Sequence, residues 1–98
     1  MTAEERDKRI REMFEEDAML LANKGHDYAG DKDCMDNLKE FGFFGAIVRI
    51  GDKFKRLKNF CLNQKLKVQD ESVIDTLRDL RSYGYLAQIL FEEEQKNQ

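Results

Sequence analysis

The chain has 98 residues, with 20 acidic and 17 basic side chains, a formal net charge of −3, and neither proline nor tryptophan. That length suits one small domain, and the absence of any apolar run of about 18 residues excludes a helical bilayer span. Two cysteines without a Cys-x-x-Cys pair exclude a disulfide framework or a zinc knuckle, and the mild negative charge argues against coating bulk nucleic acid.

The lack of proline and the wealth of Glu, Lys, Arg and Leu predict an all-α protein. Thr2 followed by Glu5 is a capping box, so a first helix is expected over about 3–24, with Gly25 as its C-terminal stop. No apolar core of a secretory signal opens the chain, and the expected location is the cytoplasm. Gly25 to Asp33 is rich in turn formers and reads as a loop. A short helix is expected over 34–41. A second long helix follows over about 43–62, with the apolar seam Phe43, Ile47, Ile50, Phe54, Leu57 and Cys61. A third runs over about 71–93, with Asp70 as N-cap and a solvated Glu-Glu-Glu-Gln-Lys-Asn-Gln end. Its main seam is Val73, Leu77, Leu80, Gly84, Ala87 and Phe91, and a second line joins Asp79, Tyr83, Leu86 and Leu90. Two seams call for two neighbours. The expected architecture is therefore a small antiparallel bundle of three long helices plus a short one, completed by homo-oligomerisation.

Charged residues stand where a bland surface would not put them. Asp17 falls near the centre of the apolar arc formed by Ile10, Met13, Phe14, Leu20 and Leu21, and an unpartnered buried carboxylate is costly, so it needs an ion-pair partner or a ligand. On the second long helix Arg49, Lys53 and Arg56 share a face, as do Glu71, Asp75 and Asp79 on the third. If these helices run antiparallel, a rule pairing i with roughly 128 − i sets Arg56 against Glu71 or Ser72, Lys53 against Asp75 and Arg49 against Asp79. The plainer interpretation is an ion-pair ladder that fixes register. The sharper one has the carboxylates Asp17, Glu71, Asp75 and Asp79 hold Mg²⁺ while Arg49, Lys53 and Arg56 hold phosphates. The glycine-bounded cluster of Lys24, Asp27 and Tyr28 adds a cation for phosphate and a ring to stack on a base. His26, alone, is expected to be an exposed loop residue rather than a zinc ligand, and Cys61 to pack as a small hydrophobe.

Three runs carry a resemblance. They are Lys24-Gly25-His26-Asp27-Tyr28-Ala29-Gly30, Gly45-x-x-x-Arg49-x-x-Asp52-Lys53-x-x-Arg56-Leu57-x-Asn59 and Asp70-Glu71-Ser72-x-x-Asp75-Thr76-Leu77-x-Asp79-Leu80-x-x-Tyr83. Together they resemble the nucleotide modification associated domain family of small helical phage and prophage proteins. The resemblance implies handling of nucleotides or modified bases, in the host cytoplasm if the chain is phage-encoded. A looser similarity to MazG-like all-α nucleoside triphosphate pyrophosphohydrolases implies a Mg²⁺-dependent release of pyrophosphate. The Glu-Glu-x-x-Glu motif of those enzymes is not reproduced, since Glu15-Glu16 is followed by Met19 at the third position. Two rival expectations remain: a non-catalytic sponge for a (cyclic) signalling nucleotide of anti-phage defence, and a helical protein-interaction module.

Overall fold

A computed structural model describes the backbone of residues 1–29, 36–63 and 71–97, and the side chains of these segments apart from 24–29, 36–37 and 71. Among the described residues all regular structure is helical: α1 (Ala3–Ala29), α2 (Asp36–Lys39), α3 (Gly42–Leu62) and α4 (Glu71–Lys96). Three of these are long, and α2 is a single turn. None is long and apolar enough to cross a membrane. The chain divides into two compact units, Met1–Asp36 and Asn37–Gln98.

The first unit is dominated by α1, about 40 Å long at 1.5 Å per residue. Its capping box forms as the sequence predicts. The Thr2 hydroxyl accepts the Glu5 N–H at 3.1 Å, and the Glu5 carboxylate accepts the Thr2 N–H at 3.3 Å. Arg9 pairs with Glu12 at 3.2 Å and reaches Glu16 at 3.7 Å; on so exposed a face such pairs contribute a few tenths of a kcal/mol. Asp17 is buried, at 1% exposure, and is engaged by a polar or electrostatic partner. The expected end at Lys24 is overturned, because the helix continues through Gly25 to Ala29. A glycine inside a helix costs only about 1 kcal/mol relative to alanine, and with no proline nearby nothing sterically forbids the continuation. The first five residues of the predicted loop are therefore helical, and its remainder lies outside the described residues.

The second unit is built on α3 packed against α4. Residues early in α3 meet residues late in α4. The rings of Phe43 and Phe91 sit edge to face at 5.3 Å, and Lys53 pairs with Asp79, so the two helices are antiparallel. The seam of α3 is not the expected one. Its least exposed positions are Phe43, Ala46, Ile50, Lys53, Leu57 and Phe60, again at alternating steps of three and four. Ile47 and Phe54 are 41% and 61% exposed, and Cys61 is exposed rather than packed. Both stripes share Phe43, Ile50 and Leu57. The choice between their intervening positions depends on the partner, and α4 selects the side that offers small Ala46 and the charge of Lys53.

On α4 the closed positions are Val73, Thr76, Leu80, Tyr83, Ala87 and Leu90, with Thr76, Ala87 and Leu90 buried. This stripe mixes the two predicted lines. Gly84, placed by the sequence in the main seam, faces open space, and Leu77 and Phe91 stay 38% and 46% exposed. The hydroxyl of buried Thr76 donates to the Ser72 carbonyl at 2.6 Å, so a polar side chain is satisfied within its own helix. Burying a side chain such as Leu90 contributes about 1.5–3 kcal/mol.

The start of α3 lacks a local cap. Phe41 is its N-cap residue without a side-chain hydrogen bond, and no acidic residue lies in the first turn. Glu94 supplies what is missing from the far end of α4. Its carboxylate accepts the Phe43 N–H at 3.0 Å, placing negative charge at the positive end of the α3 dipole. Gly42 makes room for this with φ of 65°, and a Cβ there would stand 2.7 Å from Glu94 Oε1. The C-terminal acidic run expected to be merely solvated thus contains a structural carboxylate, and α4 runs to Lys96 rather than about residue 93.

Candidate functional site

The antiparallel contact decides which of the predicted charges face one another. Lys53 Nζ lies 3.1 Å from Asp79 Oδ2, with the two side chains 20% and 38% exposed. The expected partner of Lys53 was Asp75, so the register is displaced by four residues, one helical turn. The ends of α3 and α4 that face each other, Leu62 and Glu71, are those the sequence predicts, and they set i against about 133 − i, so the error lies in the 128 − i rule and not in the helices. Asp75, 67% exposed, pairs instead with Arg78 of its own helix at 3.6 Å. The ladder predicted between the stripes is therefore reduced to one rung among the described residues.

The displacement leaves Arg49 opposite Tyr83 instead of Asp79. Both line a half-open hollow of about 430 Å³ in the second unit, with Leu38, Phe41, Phe44 and Val48 as its apolar lining. Gly45 sets its shape. The Gly45 N–H donates to the Phe41 carbonyl at 3.1 Å, and a Cβ on Gly45 would collide with the Phe41 Cβ, so glycine is what leaves room for the Phe41 side chain at this point. Aromatic faces beside one guanidinium suit a flat ring carrying an anionic group. Among the described residues Arg49 has no carboxylate partner.

The other predicted residues are scattered. Arg56 is exposed and does not line the hollow. Lys24, Asp27 and Tyr28 lie in the last turns of α1, whose side chains fall outside the described residues, as do those of His26 and Glu71. Asp17 is buried in the first unit. Among the described residues no three histidine, cysteine, aspartate or glutamate side chains gather closely enough to hold a metal ion. The sequence reading missed Phe41, Phe44 and Tyr83 as site residues. The signal was the run Phe41-Gly42-Phe43-Phe44-Gly45, in which two glycines interrupt three aromatic residues. No family model matches the chain, and no curated protein or solved structure matches it.

Proposed function

We propose that the protein binds a nucleotide, with Arg49 on its phosphate and the aromatic lining around Tyr83 against its base, as the resemblance to the phage nucleotide modification associated family implies. The observation that carries this reading is the Arg49 guanidinium beside an aromatic hollow, without a carboxylate partner among the described residues. Binding is favoured over Mg²⁺-dependent pyrophosphohydrolysis because Asp79 and Asp75 already serve Lys53 and Arg78. A metal-bridged mode would have to draw on Asp17, Glu71, Asp75 and Asp79 together. Of the other residues the sequence suggests for phosphate and base contact, Lys53 is held by Asp79 and Arg56 does not line the hollow, while the side chains of Lys24, Asp27 and Tyr28 lie outside the described residues.

Self-association belongs to the same reading. Phe44 at 77%, Phe54 at 61% and Ile47 at 41% exposure leave much apolar surface on α3, which a second copy would cover.

Calorimetric titration with nucleoside triphosphates and cyclic dinucleotides, with and without Mg²⁺, tests the proposal. Magnesium-independent binding without turnover supports it and favours sequestration. Magnesium-dependent release of pyrophosphate converts it to the enzyme. Absence of binding to all of them leaves a helical interaction module. Sedimentation equilibrium on the same samples reads the assembly state.

A further inference from the structure

Arg49 and Lys53 are four residues apart on α3, neighbours about 6 Å apart at Cβ, and in the sequence they read, with Arg56, as one stripe that holds phosphates. The register separates them. Lys53 Nζ is held 3.1 Å from Asp79 Oδ2, whereas Arg49 lines the hollow beside Tyr83. Arg56 is seven residues further along, about 10 Å down the helix axis, and does not line the hollow. Lys39 and Arg81, the other described cations of this unit near it in sequence to Leu38 and Tyr83, already have polar or electrostatic partners. Asp52, one turn from Arg49, is the only carboxylate on α3, and its field opposes additional negative charge there.

We infer that the hollow selects a ring-bearing ligand with a single phosphate group, monoester or diester, over the corresponding diphosphate and triphosphate. This rests on the nucleotide reading above and specifies its ligand class. One guanidinium makes a bidentate contact with one phosphate. A second phosphate would extend toward a cation that Asp79 has neutralised, adding charge to a chain of net −3 without adding a partner among the described residues.

The test is a titration of the full chain with four adenosine ligands: the 5′-monophosphate, the 3′,5′-cyclic monophosphate, the diphosphate and the triphosphate. It is repeated with guanosine, cytidine and thymidine series, without divalent ions and then with Mg²⁺. The expected result in any series that binds is a Kd for the monophosphate or cyclic diester at least threefold tighter than for the diphosphate and triphosphate. The two single-phosphate arms distinguish ester from diester. Diphosphate or triphosphate binding as tight as the monophosphate, or tighter, overturns the one-phosphate inference and leaves the nucleotide reading standing. No binding in any series, with helicity intact by circular dichroism, overturns both.

Two variants probe the cause. Asp79→Asn frees the Lys53 ammonium, and the diphosphate is expected to gain about tenfold while the monophosphate stays unchanged. Lys53→Gln is expected to leave monophosphate binding within threefold of the parent. An unchanged phosphate preference in Asp79→Asn, or a larger loss in Lys53→Gln, overturns the inference.

Discussion

The first two turns of α3 and the two that follow show opposite uses of the same contact with α4. At its beginning the helix is held by a distant carboxylate, Glu94, over a left-handed Gly42, and an open hollow lies beside it. Further along, Lys53 sits in the seam and is closed off by Asp79. One region spends its opposite charges on register, and the other leaves a cation beside aromatic rings. A stripe of like charges is thus not a functional unit. Neighbouring members one turn apart can be paired in the seam or open beside a hollow according to what the partner helix places across from them.

Substitutions break this contrast with graded force. Leu90→Ala strikes the seam beneath both regions, because Leu90 is 2% exposed; a loss of about 2–5 kcal/mol is expected, read as a large fall in Tm. Gly42→Ala attacks only the beginning of α3. It forces a side chain into the left-handed region, at about 1–2 kcal/mol, and pushes against Glu94, so chemical denaturation should show a loss of at least that size. Should Gly42→Ala be neutral, the Glu94 cap is not formed in solution.

Gly84→Ala works in the other direction and sharpens the choice of seam. A Cβ there meets open space, so the better helix former should stabilise by about 0.5–1 kcal/mol; a destabilised variant would restore the seam through Gly84. Asp79→Asn has the smallest expected effect on folding. Its pair with Lys53 is part-exposed, and about 0.5–1 kcal/mol is the most such a bridge contributes after solvent screening. That variant therefore keeps its fold while altering the charge beside the hollow, and equilibrium unfolding measures the difference.

The helical class, the capping box at Thr2 and Glu5 and the start of α4 near Glu71 were legible because they rest on local chemistry: propensity, caps and spacing. The errors share one origin. Gly25 is a sufficient stop only where helix continuation offers nothing, and here α1 continues. The seam of α3 was drawn through Ile47 and Phe54 because they are the larger apolar residues, but the close approach of α4 favours Ala46. The candidate site suffered most. Arg49, which lines the hollow, was singled out from its stripe as a candidate phosphate ligand, while Tyr83 was assigned to packing and Phe41 and Phe44 were not weighed.

The amino-acid order alone therefore determined that this chain forms long, proline-free, amphipathic helices and that cations and carboxylates line facing stripes. Which cation meets which carboxylate was decided only when α3 and α4 came together. Helical periodicity leaves adjacent stripes nearly equivalent, and a slip of one turn exchanges partners while keeping an apolar seam. The fit of Ala46 in the seam and the reach of Glu94 to the Phe43 N–H remove that degeneracy, the latter between residues 51 positions apart.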